Sequence, residues 1–553
     1  MNMLNRISGK NYKAFEDFNL QISPLTILLG ANSCGKSSLI NLFLLLSQTI
    51  DSINELKGPL RLNGHNVGLG ESINILRNKD VNNNIEFSFS LESISLTKLS
   101  QSILNSPIRN FGGIVQFYEH FSKTISNKEI DLQLKKLQEK FGRNDSLTKK
   151  DIPDIINIVS MLKDEPSVKD SELFNFDHVN FISLMKELNK TSFTSLTPHH
   201  ISYTLSNNQT SNNDVNFGIK SVSIKNKRDQ NIISVDFCSK VSTSEIISEE
   251  LMPDISHDLL NSMDTTSLSL RNESQRSEAE HPRRINFLEE IRNHLNTTPS
   301  KIIEKLIYIS IDELFRSINT ENITHITPLR AEPRRYYLLD KTANHKTLNT
   351  MDGTGLAEVL KSNSELVEKI NGLIKNFNLK ISIDPTNEII HQIIVHQDGL
   401  PLDITDVGFG ISQFLPIIVQ SLRCPKGSII LIEQPEIHLH PKMQTWLMDC
   451  LSEIALSEEK KIIIETHSDV MIKRLQLRMI DSKFPISREH VEIYNLERCS
   501  DGRGKIKTVM NNVRITDYSE IIWPDGFLDY EINDSIKFEE LKFDLMRKAN
   551  PGV

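Results

Sequence analysis

The sequence predicts an α/β fold in which one mixed sheet is assembled from both ends of the chain and a mostly helical region is inserted between them. Near the N-terminus, an apolar run at 25–29 (LTILL) is followed by a glycine-rich turn and an apolar helix at 38–46. Near the C-terminus, the apolar runs at 429–432 and 461–464 each lead into a glutamate. Short apolar runs bounded by turns are typical of buried parallel strands.

Length and composition allow a large core and more than one structural unit. The chain has 553 residues, of which 38% are hydrophobic, and its formal net charge is −9. That charge argues against a chain coated with positive charge for nucleic acid, although it is compatible with a local basic groove. The five cysteines form no CxxC pair, so we expect neither a zinc site nor a disulfide framework.

No membrane attachment is expected from the sequence. The segment at 1–15 lacks the apolar stretch of a signal peptide, and no run approaches the ~18 apolar residues of a membrane span. We therefore expect a cytoplasmic protein with reduced thiols.

The pattern divides the chain into an N-terminal part at 1–95, a largely helical insertion with flexible loops at 96–321, and a C-terminal part at 322–553. Within the insertion, the apolar residues of 130–141 recur at helical spacing, and 152–162 indicates another helix. Two polar segments indicate loops or disorder, at 206–214 and 261–284. Sustained heptads are absent, so we expect a compact insertion rather than a long coiled-coil arm.

The strongest motif is GANSCGKS at 30–37, which matches G-x-x-x-x-G-K-[ST] between an apolar strand and a helix. Its glycines let the backbone curl so that N–H groups point at phosphate oxygens. We expect Lys36 to reach the β- and γ-phosphates of ATP, and the Ser37 hydroxyl to bind Mg²⁺. The alternative, a chance glycine-rich turn, is disfavoured by the flanking elements. The predicted ATP-binding residues here are Gly30, Ala31, Asn32, Ser33, Cys34, Gly35, Lys36, Ser37 and Ser38.

The run at 429–432 (IILI) is typical of a Walker B strand. It ends in Glu433, which we expect to hold Mg²⁺ directly or through water, and continues as QPE. An ordinary core strand that ends in an acid is the alternative. The phosphate-binding loop that precedes it along the chain favours the Walker B interpretation.

The segment DVGFGISQ at 406–413 precedes an apolar helix at 414–422. Glycines permit close approach of the backbone to a ligand, and Ser412 offers a hydroxyl at a helix start. The segment resembles the signature motif of ABC ATPases, in which Gly410 and Ser412 would contact ATP held by another subunit. A glycine-containing turn with a serine N-cap is the structural alternative.

The run at 461–464 (KIII) leads into ETHS at 465–468. This segment resembles the switch-histidine segment of ABC ATPases, in which His467 would hydrogen-bond the γ-phosphate. A histidine that caps the end of a strand is the structural alternative.

The four motifs follow the order found in ABC ATPases, and the chain resembles the SMC-like and OLD-like ABC ATPases of bacteria. The phrases that carry the resemblance are LTILLGANSCGKSSL, ITPLRAEPRRYY, DVGFGISQFLPII, LIEQPEIHLHP and IIIETHSDV. They cover most of the two terminal regions and leave about 100–320 unmatched. The resemblance implies an ABC-type P-loop head, ATP and Mg²⁺ as ligands, and a homodimer or higher oligomer joined through ATP.

The phrase EQPE, with WPDGF at 523–527, narrows the resemblance to stand-alone prokaryotic ATPases of this group. Among these, the chain is similar to the PtuA family, the ATPase subunits of Septu-type antiviral (anti-phage) defence systems, which also occur attached to retrons. Such subunits act with a separate HNH nuclease of the PtuB kind. The resemblance therefore implies a nuclease partner, and it allows a reverse transcriptase or retron nucleic acid as a further one.

Two departures from the family pattern affect these expectations. OLD nucleases carry a Toprim domain with clustered acids, whereas no E…DxD-like cluster follows His467 and no HNH motif is evident, so we expect no nuclease activity in the chain itself. Gln434 stands where most ABC ATPases have a glutamate that polarises the attacking water. An amide can orient water but cannot take its proton, so slow hydrolysis is expected from the predicted catalytic set of Glu433, Gln434 and His467.

A DNA-repair or chromosome-organising ATPase of the RecF or SMC type is the alternative function. Arg330, Arg334 and Arg335, in LRAEPRRYY, form a basic cluster suited to phosphate contact and therefore to DNA binding. Ion pairs with internal carboxylates, or contact with nucleotide, are the other interpretations of this cluster.

Four further residues have two interpretations each. Tyr12 and Phe15 are candidates to stack on adenine, and both are equally compatible with the core. His438 and His440, in IHLHP, suggest metal ligands, but we favour packing or dimer contact for them.

Overall fold

The fold is described from a computed structural model of the chain. The residues that the structure describes are 4–116, 127–141, 147–163, 177–207, 216–272, 298–330, 332–338, 355–386, 390–407, 409–500, 506–523 and 529–549. The chain forms two compact units. The first contains Met1–Asn2, Ala14–Leu44 and Thr320–Val553, and the second contains Met3–Lys13 and Leu45–Asn319.

The strands, in chain order, are β1 (Leu4–Tyr12), β2 (Phe15–Gln21), β3 (Leu25–Gly30), β4 (Ile85–Leu91), β5 (His200–Asn207), β6 (Phe217–Lys225), β7 (Asn231–Asp236), β8 (Val241–Thr243), β9 (Ile323–Ile326), β10 (Tyr337–Leu338), β11 (Leu379–Pro385), β12 (Ile390–Gln397), β13 (Leu400–Asp403), β14 (Ile429–Glu433), β15 (Lys461–Glu465), β16 (Val491–Ser500) and β17 (Ile506–Asn512).

The helices of the described residues are α1 (Lys36–Asp51), α2 (Ile94–Gln116), α3 (Lys128–Phe141), α4 (Ile152–Leu162), α5 (His178–Lys190), α6 (Met252–Ser262), α7 (Pro299–Ile318), α8 (Leu356–Ser362), α9 (Ser364–Ile374), α10 (Phe409–Arg423), α11 (Pro441–Ser457), α12 (Asp469–Ile480) and α13 (Asp529–Ala549).

The first unit is built on a mixed sheet with the strand order β2-β17-β16-β3-β15-β14-β9. The pairs from β16 to β9 are all parallel, and β16 pairs with β17 antiparallel. The apolar runs of β3, β14 and β15 are fully buried, as expected for central strands covered on both faces. Because these strands are parallel, their carboxyl ends meet at one edge of the sheet, where α/β proteins place their ligands.

A smaller antiparallel sheet, with β12 between β11 and β10 and with β13 also paired to β12, belongs to the same unit. Its buried residues join one hydrophobic core with α8 to α12 and the central strands. The smaller sheet therefore extends the core that holds the strand ends.

The second unit contains an antiparallel sheet with the order β8-β7-β6-β5-β4-β1, together with α2 to α7. The region 96–321, which the sequence predicts to be largely helical, therefore also carries β5 to β8. These strands alternate buried and partly exposed residues over short lengths, a weaker signal than that of the central strands. The division at 95 and 321 stays a prediction.

The individual elements predicted from the sequence are largely confirmed. The predicted strands at 25–29, 429–432 and 461–464 are β3, β14 and β15, and the predicted helices at 130–141 and 152–162 are α3 and α4. The two predicted loops are wrong at their first residues, because 206–207 end β5 and 261–262 end α6. The parts at 208–214 and 273–284 lie outside the described residues. The part at 264–272 forms turns that bury Leu268 and Leu270, because apolar residues interrupt its polar sequence.

The adenine-stacking role considered for Tyr12 and Phe15 is wrong, because both side chains are fully buried. Tyr12 packs edge-on against Phe87 in the second unit, and Phe15 packs against Phe18 in the first. The core alternative is the correct one for both. Among the residues that the structure describes, no helix combines the length and hydropathy needed to cross a membrane.

Helices α11 and α12 are joined by a buried ionic cluster. The Asp449 carboxylate accepts hydrogen bonds from the guanidinium groups of Arg474 and Arg478. Burial opposes ionisation of Asp449, but the hydrogen bonds from Arg478 and Arg474 outweigh it and lower the pKa of this carboxyl.

We predict that Asp449→Ala lowers the free energy of unfolding by about 3–5 kcal/mol, because two largely buried guanidinium groups lose their shared partner. Denaturant titration of the full chain measures this change. The contribution should be present above the unfolded pKa of an aspartate and be lost as the pH falls through the lowered folded value. In the exposed pair of Arg488 and Asp517, the Asp517→Ala control should cost less than about 1 kcal/mol. Equal losses for the two variants would contradict the prediction.

Candidate functional site

The loop at 30–37 connects β3 to α1 at the carboxyl edge of the main sheet, as its motif predicts. Gly30 and Gly35 adopt φ values of 135° and 107°. A Cβ on Gly30 would lie 2.2 Å from the carbonyl oxygen of Leu496, and one on Gly35 would lie 3.0 Å from the Phe15 ring. Both positions therefore require glycine, for backbone conformation and for space.

The loop is supported from β17 and β2. Thr508 donates a hydrogen bond from its hydroxyl to the carbonyl oxygen of Cys34 at 2.8 Å, and the Phe15 ring lies beside Gly35. The Cys34 side chain is buried, whereas four residues of the loop are exposed: Ala31, Asn32, Ser33 and Ser37. Ser38 is partly exposed. The loop thus has one anchored side and one open side on which a ligand can lie.

Lys36 folds back onto its own loop. Its Nζ donates to the carbonyl oxygens of Gly30 and Ala31 at 2.9 Å each, and its side chain is 3% exposed. The Nζ also lies 3.8 Å from Oε1 of Glu465, the last residue of β15. Ser37 donates from its hydroxyl to Oε2 of the same glutamate at 3.1 Å. Burial raises the pKa of Glu465, while Lys36 opposes this change.

Glu433 lies at the end of β14, in register with Glu465 on the neighbouring strand. Its Oε1 is 2.6 Å from Nε2 of His325, which belongs to β9 on the other side of β14. The predicted Mg²⁺ ligand Glu433 is therefore positioned by a histidine that the sequence reasoning did not identify.

Gln434 occupies a strained backbone position. Its φ is 42°, and its N–H donates to the carbonyl oxygen of Glu465 at 2.7 Å. This hydrogen bond continues the pairing of the strands into the loop that follows β14. The turn at Gln434 leads into the loop that contains Glu436.

Glu436 connects that loop to the segment ETHS after β15. Its Oε1 accepts the N–H of His467 at 2.7 Å, and its Oε2 accepts the hydroxyl of Thr466 at 2.8 Å. Burial lowers the pKa of His467, Lys36 acts in the same direction, and Glu436 opposes them. The exposed imidazole is thus kept neutral at neutral pH, so that one ring nitrogen donates and the other accepts.

Gly410 and Ser412 belong instead to the first turn of α10. The helix begins at Phe409, earlier than the predicted start at 414, so Ser412 lies inside the helix and is not its N-cap. A Cβ on Gly410 would lie 2.5 Å from Sδ of Met443 in α11, and Ser412 is 3% exposed. A larger residue at Gly410 would therefore force the Met443 side chain to shift, a packing constraint that the sequence pattern did not reveal.

The three arginines of the basic cluster have different environments. Arg335 binds both carboxylate oxygens of Asp406 at 2.7 and 2.9 Å, which agrees with the internal ion-pair interpretation. Arg334 is exposed. Arg330 is 8% exposed, and within the described residues its Nε and Nη1 have no hydrogen-bond partner.

The remaining contact of Arg330 is weak. Its Nη2 lies 3.5 Å from the carbonyl oxygen of Gln434, the outer limit of a hydrogen bond. Burial lowers the pKa of Arg330 to about 10, although Glu436 opposes the shift. Arg330 is therefore a buried cation beside the loop after β14, with two donor atoms that no described residue satisfies.

The histidines of IHLHP have structural roles where the contacts are resolved. His440 accepts the N–H of Lys442 on its Nδ1 at 3.2 Å and thereby caps the N-terminus of α11. His438 adopts a φ of 62° in the preceding turn. Among the described residues, no cluster of three or more His, Cys, Asp or Glu is arranged to hold a metal ion.

The arrangement fits a magnesium nucleotide. The loop presents a lysine, a hydroxyl and glycine-dependent backbone at the edge of a parallel sheet, next to the glutamates of β14 and β15. Sequence reasoning missed Glu436, Glu465 and His325. The first two stand inside the quoted motifs EQPE and ETHS, so pairing the two runs in a parallel sheet would have identified them. No local signal marks His325, whose role depends on its strand neighbour.

Comparison with known proteins gives one family. A family model described as an AAA ATPase domain matches residues 3–472. No curated protein sequence matches the chain. Similar solved structures include the SMC head domain from Thermotoga maritima, with 7% identity, 93% of this chain and 100% of that chain covered, and a TM-score of 0.32.

Two further similar structures are head domains in complexes. One is the Smc head domain with an extended coiled coil bound to the C-terminal domain of ScpA from Pyrococcus furiosus, with 11% identity, coverage of 93% and 97%, and a TM-score of 0.29. The other is the SmcHead bound to the C-winged helix domain of ScpA, with 9% identity, coverage of 92% and 98%, and a TM-score of 0.32.

We predict that Gly30→Ala lowers the free energy of unfolding by more than about 1 kcal/mol. The alanine methyl group would clash with the Leu496 carbonyl oxygen, and the backbone would keep an unfavourable φ. Gly372→Ala is the matched control. Gly372 lies inside α9 with open space around it, so alanine should stabilise the chain by about 0.5–1 kcal/mol. Denaturant titration compares the variants, and a Gly30→Ala chain as stable as the original would refute the geometry.

Proposed function

Since the chain belongs to the AAA ATPase domain family, we propose that it binds ATP and Mg²⁺ at the loop 30–37, hydrolyses ATP slowly, and forms a homodimer or higher oligomer through the bound nucleotide. The observation that carries this proposal is the meeting of Lys36, Ser37 and the ends of β14 and β15 at one edge of the sheet. We further propose that the nucleotide state controls a partner HNH nuclease in anti-phage defence. The support for that role is the resemblance of EQPE, together with WPDGF at 523–527, to Septu-type subunits.

The residues of the chain have separate roles in this proposal. Lys36 exchanges the carbonyl oxygens of Gly30 and Ala31 for phosphate oxygens, and Ser37 exchanges Glu465 for the metal ion. Mg²⁺ supplies charge neutralisation on the phosphate oxygens. His467, held through its backbone by Glu436, donates a hydrogen bond to the γ-phosphate from its neutral ring.

Slow hydrolysis follows from Gln434. The residue after the Walker B glutamate is an amide, which orients water without accepting a proton. Loss of a general base costs on the order of 10²–10⁴ in rate. The bound nucleotide therefore persists, and we propose that it serves chiefly to join subunits, with Gly410 and Ser412 of a second copy completing the site.

Arg330 is proposed as a phosphate contact. Its buried, unsatisfied donors lie beside Gln434, whereas Arg335 is already paired with Asp406. These contacts favour nucleotide over DNA as the ligand of the basic cluster. DNA binding, as in the RecF or SMC alternative, is therefore left as an outcome of the experiment below.

We predict that Arg330→Met stabilises the nucleotide-free chain and weakens ATP binding by about tenfold or more, because it removes a buried cation whose Nε and Nη1 no described residue satisfies, together with a charge-assisted contact. Thermal unfolding without nucleotide and calorimetric titration with ATP and Mg²⁺ measure the two effects. For the half-exposed pair of Arg335 and Asp406, Arg335→Met should change either quantity by less than about 1 kcal/mol. A destabilised Arg330→Met chain with unchanged affinity would refute this role.

The proposed function is tested by native mass spectrometry of the full chain from its source cells, with and without ATP. We expect ATP-dependent dimers or larger assemblies that contain a nuclease identified by its peptides as an HNH protein. Lys36→Ala should abolish the ATP dependence. In this proposal nucleotide binding uncovers the Ser412 hydroxyl, which is buried in the nucleotide-free chain. Ser412→Ala should then weaken assembly by about tenfold through the loss of one hydrogen bond, and the exposed Ser457→Ala is its control.

Three results would contradict parts of the proposal. The same mass distribution with and without ATP would exclude nucleotide-dependent assembly. A nucleotide-dependent dimer without the nuclease that binds DNA in a salt-sensitive manner would favour the DNA-repair class. Failure of the chain to bind ATP would refute the proposed site itself.

A further inference from the structure

Three glutamates surround the candidate site, and their partners differ in kind. Glu433 contacts His325, and Glu436 contacts the backbone and hydroxyl of the ETHS segment. Glu465 contacts Lys36 and Ser37, the side chains that the motif assigns to phosphate and metal. Of the three, Glu465 alone is held by groups that nucleotide binding would recruit.

The register of the sheet determines where Glu465 lies. Strand β15 runs between β14 and β3, and Glu465 is paired with Glu433 on one side and with Leu28 on the other. Its carboxylate is therefore one strand closer to the phosphate-binding loop than that of Glu433. The side chain is buried, so water and salt screen its charge little.

The position usually occupied by the hydrolytic glutamate cannot supply a carboxylate here. Gln434 is an amide, and its backbone is fixed by the hydrogen bond from its N–H to the carbonyl oxygen of Glu465. The same pairing that fixes Gln434 places a carboxylate on the adjacent strand, at the side of the site nearer the loop at 30–37.

We propose that Glu465 supplies the carboxylate that receives the proton of the attacking water, in place of the glutamate that Gln434 replaces. This inference rests on the proposed ATPase function. In the step, the water oxygen forms a bond to the γ-phosphorus. The bond from that phosphorus to the bridging oxygen breaks, and its electron pair leaves on ADP. The proton of the water passes to Glu465 and then to the released phosphate.

The contacts in the nucleotide-free chain add a condition to this step. Glu465 accepts the Ser37 hydroxyl and lies beside Lys36, so it becomes free to accept a water when both partners have turned to the nucleotide and its metal ion. Hydrolysis then requires that both ATP and Mg²⁺ are bound. Turnover stays slow even with Glu465 as the base, because its carboxylate must first lose its contacts with Ser37 and Lys36.

The first test is Glu465→Gln in the full chain, which preserves the shape and leaves an acceptor for Ser37. We expect single-turnover phosphate release to fall by about 10²–10⁴. The Kd for ATP with Mg²⁺ should not rise by more than about threefold, since a group that acts in the transition state contributes little to ground-state binding and the competing contacts of Lys36 and Ser37 are weakened. As a readout independent of rate, the variant incubated with ATP should retain ATP where the original chain holds ADP. Glu458→Gln, in an ion pair with Lys369 outside the site, is the matched control and should behave as the original.

Two further variants distinguish a loss of catalysis from a loss of stability. If Glu465→Gln lowers the Tm, Glu465→Asp retains the charge but withdraws the carboxylate by one methylene, and it should lose about tenfold or more in rate at unchanged Kd. Gln434→Glu added to Glu465→Gln should recover about tenfold or more of the lost rate, because it returns a carboxylate to the usual position.

The outcomes separate this inference from the proposed function. If the original chain neither binds nor hydrolyses ATP, both fail. If it hydrolyses ATP and Glu465→Gln or Glu465→Asp matches its rate, the inference alone is overturned. A loss of rate matched by Mg²⁺-dependent weakening of ATP binding would make Glu465 a metal-holding residue and would also overturn it. The inference would also be overturned if the folded double variant, Gln434→Glu with Glu465→Gln, recovered none of the lost rate.

Discussion

The parallel register of β14, β15 and β3 is the constraint on which the candidate site depends. It aligns Glu433 with Glu465, and it brings both to the edge where the loop after β3 turns into α1. A slip of one residue along β15 would turn Glu465 to the opposite face of the sheet and break its contacts with Lys36 and Ser37. Full burial of these strands makes such a slip costly, because every apolar side chain would change face with it.

The site combines strain and unsatisfied charge with a well-packed core. Gln434 has a left-handed backbone, and Arg330 carries buried donors without partners in the described chain. Features of this kind cost free energy and persist where the surrounding structure over-determines them. Here the bridge from Glu436 to His467 and the buried cluster around Asp449 provide that surrounding order. The loops after β14 and β15 therefore behave as one connected element.

Local sequence predicted the loop at 30–37, the central strands and the helices α3 and α4, because each is encoded by a short apolar or glycine pattern. It did not reveal partners that lie far apart in the chain. His325, the contact of Glu465 with Ser37 and the burial of Arg330 all depend on strand order and packing. Tyr12 and Phe15 were ambiguous because a polar aromatic ring and an apolar one suit an adenine as well as a core. Ser412 was expected at a helix start because an apolar run begins at 414, whereas α10 begins at Phe409, before that run.

The support of the loop from distant segments has a consequence for the synthesis of the protein. The Thr508 hydroxyl donates a hydrogen bond to the carbonyl oxygen of Cys34, which lies 474 positions earlier in the sequence. The two strands that flank β3, β15 and β16, also come from late in the chain. At translation rates of about 5–20 residues per second, β3 is made about 20–90 seconds before its neighbours are complete. During that interval the apolar LTILL segment has no native strand to pair with. The nascent chain therefore carries an apolar strand without its native neighbours during that interval, and it acquires the complete nucleotide pocket only after β15, β16 and β17 have been synthesised.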